Sequence, residues 1–239
     1  MRAVIGVVVV WLVLVAHAAP AAAQDPAPQP PAPAAGPSRL FYGPTGRMLP
    51  PGQGYVAFDG LFLVTVQLGV TPRFSIGGGT SPLFWFVEDI RGPFWVTPKF
   101  RVYANERTSL AAGAVSMFVP GEEGSFGMAY LVGTTGTPER SVTIGGAFGY
   151  YTGDGEGGVS TPLLLAAGER RVRPRLSIVT ENWIGWGGGF ASVGLRRHGR
   201  RLQGDIGFGL GFGGDVVVPA LIGNVAVKFG GPRMTTRAD

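Results

Sequence analysis

LQGDIGFGLGF, residues 202–212, decides how this chain is read. Along an extended strand, Leu202, Ile206, Phe208, Leu210 and Phe212 share one face, while Gln203, Asp205, Gly207, Gly209 and Gly211 share the other. Large apolar residues alternating with small and polar ones over about ten positions describe a transmembrane β-strand, with one side in lipid and the other on a tight interior.

The same period of two recurs outward from this stretch. In 141–151, Val142, Ile144, Phe148 and Tyr150 oppose Ser141, Thr143, Gly145, Ala147 and Gly149. In 125–135, Phe126, Met128, Tyr130 and Val132 oppose Ser125, Gly127, Ala129 and Gly133. About twelve strands are predicted, over 55–62, 64–70, 74–80, 94–104, 109–119, 125–135, 141–151, 159–168, 175–184, 190–195, 202–213 and 216–229. Ten is the alternative count, because no turn residue clearly separates the first two. The expected fold is all-β, an antiparallel up-and-down transmembrane β-barrel. A soluble barrel or sandwich would turn its large residues inward and coat its outside with charge. Here the second face is mostly glycine, alanine, serine and threonine, a poor coat for water and a good lining for a narrow barrel. The large face is therefore expected in lipid.

The ends of the chain support export. Residues 1–24 form a secretory signal peptide: Arg2, an apolar run over 4–15, then small residues with cleavage after Ala23 or Gln24. The run falls short of the about twenty residues a membrane helix needs. Residues 25–38 are rich in proline and alanine and predict a periplasmic linker. The barrel is expected over 39–231, with a C-terminal tail over 232–239. The chain has no cysteine, hence neither a disulfide frame nor a cysteine-linked lipid anchor. Its formal net charge is +5, yet export and the placement of charge in turns argue against a nucleic-acid partner.

The connections sort into two sets. One set (71–73, 105–108, 137–140, 169–173 and 196–201) is arginine-rich and sums to about +7. The other (81–93, 120–124, 152–158, 185–189 and 214–215) is acidic and glycine-rich, about −6. An even strand number brings both termini to one end, which bacterial barrels keep in the periplasm. The arginine turns then face the periplasm, where outer-membrane lipid headgroups are the expected partner. Trp95, Phe118, Phe126, Tyr150 and Trp183 are expected to form an aromatic girdle near the outer end. The last strand closes on Val225, Val227 and Phe229, similar to the C-terminal signal read by the outer-membrane assembly machinery, although a tail of ten residues follows.

Three stretches carry a resemblance. Residues 41–49 (FYGPTGRML) with Gly52, Gln53, Gly54 and Tyr55, residues 69–79 (GVTPRFSIGGG) and residues 177–183 (SIVTENW) are similar to recurring segments of a group of uncharacterised bacterial outer-membrane β-barrel proteins. Pro72 stands where many of those proteins carry Asp, and Thr180 where Ser is usual. The resemblance covers most of 40–229. It implies the barrel and brings no activity or catalytic residue with it.

Chemistry-bearing residues are few. His17 leaves with the signal peptide, and His198 falls in an arginine-rich turn, away from the outer rim where outer-membrane lipid hydrolases work. No cofactor site and no metal site is expected: there is no cysteine, one usable histidine and no ligand spacing. The Asp154-Gly155-Glu156 loop lacks the ligand count of a calcium site. The charges of interest lie on the small face: Asp59, Lys99, Arg101, Glu181, Asp205 and Lys228. Charge inside a barrel must be paired or wetted. Asp59 and Lys228, on the first and last strands, are expected to pair at barrel closure. Lys99 and Arg101 are expected to face Glu181 and Asp205 across the lumen. These expectations lead to a narrow porin-like channel for small solutes, with charges selecting the solute. The alternatives are a non-conducting structural or interaction barrel with a salt-bridged lumen and, more weakly, a lipid hydrolase.

Overall fold

The computed structural model describes residues 38–60, 62–86, 92–153 and 156–230. The expected signal peptide and tail, and Asp154 and Gly155, lie outside these residues, as does the linker up to residue 37.

Thirteen strand segments follow one another: β1 Gly54–Asp59, β2 Leu63–Thr71, β3 Phe74–Thr80, β4 Phe94–Val96, β5 Lys99–Ala104, β6 Thr108–Phe118, β7 Ser125–Gly136, β8 Arg140–Gly153, β9 Glu156–Arg173, β10 Leu176–Gly185, β11 Gly188–His198, β12 Leu202–Gly213 and β13 Val216–Phe229. One 3-10 turn, Pro82–Phe86, sits in the loop before β4. β4 and β5 are halves of a single stave. Pro98 has no N–H to give the ladder, but Thr97 exchanges both backbone hydrogen bonds with Gly77 and holds the halves in line. The barrel therefore has twelve staves, all antiparallel.

Closure is made by β1. It pairs with β13, Gly54 opposite Phe229 and Asp59 opposite Asn224, and with β2 on its other side. Among the described residues no strand edge is left open, as a backbone in hydrocarbon demands. The first and last staves begin and end at the same rim, which also carries the short arginine-rich turns.

Side chains follow the pleat. On β12, Leu202, Ile206, Phe208 and Leu210 are exposed on the outer wall, while Gln203 and Asp205 are buried within. On β8, Val142, Ile144 and Phe148 point out and Thr143 and Ala147 point in. This is the predicted arrangement. β7 is reversed: Tyr130 and Val132 are buried in the lumen with Met128 on the same face, and Leu131 is exposed outside. Large side chains turn inward there because the bore is not lined by small residues alone. They pack with Leu165, Val179 and Ile222 around Leu40 and Phe41, which belong to a segment inside the barrel.

The girdle expectation is corrected in the same way. Phe118 lies on the outer wall, stacked on Phe94 with ring centroids 5.2 Å apart. Tyr150 is half-buried and hydrogen-bonds Ser116. Trp95 and Trp183 instead face the lumen, while Phe126, at the long-loop end of β7, is exposed. Two turns are also shorter than predicted. β9 runs to Arg173 and β11 to His198, so Glu169, Arg196 and His198 stand on the inner wall rather than in loops. Paired burial there replaces the hydration a turn would give them.

Candidate functional site

The bore holds a hairpin made by residues 38–45, continuing through residue 49 to β1. Leu40 N–H donates to Gly43 O at 2.7 Å and Thr45 N–H to Ser38 O at 3.0 Å, with Arg39 bridged to Pro44. Leu40, Phe41, Met48 and Leu49 are all 5% exposed or less. The stretch that precedes the first predicted strand fills the barrel, and Ser38, at the end of the expected linker, belongs to it.

Charged wall residues fasten the hairpin along its length. At the tip, Tyr42 N–H and Gly43 N–H donate to Glu181 Oε2 and Oε1 at 3.0 and 2.8 Å. Trp183 Nε1–H donates to the same Oε1 at 2.8 Å. A carboxylate facing these N–H groups is well solvated without water. A Cβ at position 43 would stand 2.8 Å from both Glu181 Oε1 and the Trp183 ring, so any other residue there would push these side chains out of place. Arg39 pairs with Asp59 through both nitrogens, Nη1 lying 3.2 Å from Oδ2, and also donates to Phe41 O. The guanidinium also lies 5.5 Å from the centre of the Tyr55 ring, so its buried charge is met by Asp59 and by a π face. Arg196 is the hub: it makes a bidentate pair with Asp205 at 2.9 Å, donates to Glu169 at 2.9 Å and to Leu40 O at 2.7 Å. Asn224 donates to Phe41 O at 3.1 Å. Lower down, Lys99 Nζ donates to Ser38 O and Arg47 O at 3.1 and 2.6 Å. Gly46 bonds Thr134 and Ser109 across β7 and β6.

Two expected ion pairs are therefore corrected. Asp59 does not close the barrel on Lys228: Asp59 lies opposite Asn224 and Lys228 opposite Tyr55, and Asp59 takes Arg39 instead. Lys99 does not reach across to Glu181 or Asp205, because the hairpin stands between and supplies carbonyl partners. Arg101 is half-buried on the same face of β5 as Lys99.

Arg39, Glu169, Arg196 and Asn224 were not among the expected lumen residues. The signal for one of them was present: Phe190, Ser192, Gly194, Arg196 and His198 share a face by alternation. Arg39 had none, since a contact across 20 residues to β1 follows only from the folded path.

The structure also joins Ser177, His198 and Glu169, which sequence reasoning kept apart. Ser177 Oγ lies 2.8 Å from His198 Nε2, and Glu169 Oε1 lies 3.1 Å from the same nitrogen. A nucleophile relay needs the carboxylate on the opposite ring nitrogen; here Nδ1 is buried without a hydrogen-bond partner, and Ser177 is 0% exposed. The trio braces the wall beside Arg196.

Above the hairpin lies a cavity of about 250 Å³. Arg39, Tyr42, Asp59, Lys99 and Tyr130 line its depth, and Leu63, Trp95 and Met117, near the long-loop ends of their strands, line its rim. It has room for several waters at ~30 Å³ each.

No family model matches this chain, and no curated protein does. Among solved structures it is similar to the KdgM porin in complex with disordered oligogalacturonate, with a TM-score of 0.51 and 12% identity over 75% of this chain and 98% of that one. It is also similar to the NanC porin, with a TM-score of 0.52 and 7% identity over 74% of this chain and 99% of that one. The shared property is the fold, a porin-type β-barrel.

Proposed function

We propose that this protein is an outer-membrane barrel of the porin type that passes small solutes through a bore restricted by its own N-terminal hairpin, with both termini in the periplasm. The apolar outer wall, the signal-like N-terminus and the porin-type fold support the membrane reading. One observation carries the functional one: the hairpin floors a cavity and, beyond its chain link to β1, is held to the wall by hydrogen bonds, ion pairs and packing alone. It sets the size of the passage and can be released. The buried packing of Phe41 against the wall favours the second reading, a permanently filled barrel that does not conduct.

Planar-bilayer recording separates the two. The folded full-length protein is expected to give small discrete steps, and a chain lacking residues 38–48 steps several-fold larger. A silent full-length protein beside a conducting deletion would mean that the hairpin shuts the pore fully. Silence from both, with insertion shown, would establish the filled barrel and remove the channel.

A further inference from the structure

We propose that the cavity above the hairpin binds a small uncharged aromatic solute carrying one oxygen acceptor, an aromatic alcohol being the simplest. The site rests on the channel reading above for the route by which the solute arrives, and it names the class of solute.

Two aromatic side chains reach the cavity because a glycine stands opposite each of them. Trp95 on β4 is paired with Gly79 on β3, and a Cβ on Gly79 would lie 2.5 Å from Cζ2 of the indole. Tyr130 on β7 is paired with Gly113 on β6, and a Cβ there would lie 2.4 Å from the phenol oxygen. Each ring therefore crosses the bare backbone of the adjoining stave. Both are buried apart from what they show to the cavity. Tyr42 on the hairpin adds a third ring, and Leu63, Val115 and Met117 complete a largely apolar wall. Such a wall with a few placed donors is the usual form of a small-molecule site.

The charges of the cavity are already met. Arg39 and Asp59 neutralise each other, and Lys99 Nζ donates to Ser38 O and Arg47 O. Thr97 Oγ1–H donates to Gln67 Oε1 at 2.9 Å. The hydroxyls of Tyr42 and Tyr130 and the indole N–H of Trp95, by contrast, make no hydrogen bond among the described residues. An ionised solute would lose its hydration here without gaining an uncommitted counter-charge. A sugar would bring a hydroxyl on nearly every carbon against apolar side chains. One aromatic ring with one oxygen suits both the ring faces and the donors. The cavity of about 250 Å³ equals roughly eight waters in volume, room for one such ring.

The test uses full-length protein shown to be folded by its heat-modifiable mobility, in deuterated detergent. Ligand-observed NMR titrations compare benzyl alcohol with toluene, benzoate and glucose. Benzyl alcohol is expected to bind saturably and the other three several-fold more weakly or not at all. Tyr130→Phe should weaken benzyl alcohol roughly fivefold, the loss of one hydrogen bond, and leave toluene unchanged. Met117→Trp, which fills the cavity from β6, should abolish saturable binding of both. Folded Met117→Trp protein that binds as wild type does would overturn the site. Benzoate or glucose binding as tightly as benzyl alcohol would overturn the solute class, and equal losses for both aromatic probes in Tyr130→Phe would overturn the need for an oxygen. Saturable binding by a protein silent in bilayers keeps the site and removes the passage. Conductance without saturable binding keeps the passage and removes the site.

Discussion

Single residues carry the hold of the wall on the hairpin. Removing one partner of a buried pair strands the other, at a cost of about 3–5 kcal/mol, whereas removing both costs much less. Asp59→Asn is therefore expected to destabilise the barrel strongly, because Arg39 stays buried beside it. Arg39→Gln in the same chain should recover most of the loss. Urea unfolding followed by heat-modifiable mobility gives the coupling energy; additive effects of the two changes would remove Asp59–Arg39 from the account. Lys228→Gln should show no coupling to Asp59. Gly46→Val makes a sharper steric case. A Cβ at Gly46 would sit 1.9 Å from the backbone oxygen of Ser109. The substitution should lift the lower part of the hairpin off β6 and enlarge single-channel steps, and unchanged steps would mean that the hairpin does not limit the bore.

Among the elements, β7 and β8 show how far alternation reaches. Both alternate cleanly in sequence, and the pattern predicts large residues facing lipid in both. β8 complies and β7 does not, since Tyr130 and Val132 meet Phe41 while Leu131 faces out. Ile144→Arg on β8 would place a cation on the lipid wall and should cost ~2–4 kcal/mol, least if the position lies near an interface. Cysteine labelling checks the faces directly. Ile144→Cys and Leu131→Cys in vesicles should react with a lipid-soluble maleimide, and Val132→Cys should resist it. Labelling of Val132→Cys ahead of Leu131→Cys would reverse the β7 assignment. The stretch 41–49 stood out in the sequence only by its resemblance. Its location inside the bore was not legible, because nothing in its local pattern tells a wall from a filling.

For the whole molecule, orientation is the property most open to test. Trp186, 89% exposed in the β10–β11 turn, marks the end opposite the arginine rim. An epitope inserted after Gly187 should be reached by antibody on intact cells, and one placed at the turn after Arg173 only after permeabilisation; the opposite result would invert the barrel. The sequence alone carried the period of two, the antiparallel barrel it implies, a count of about twelve strands with ten left open, and arginine-rich short turns. These are local or additive properties, set by which side chains can meet lipid and by the need to pair every backbone group. The tertiary structure alone decided which charges pair, which way β7 turns and what occupies the lumen. Pairing inside a barrel depends on shear and on the path of a segment that is not part of the sheet, so residues distant in sequence, Arg39 with Asp59 and Arg196 with Leu40, become neighbours only once the wall has closed around them.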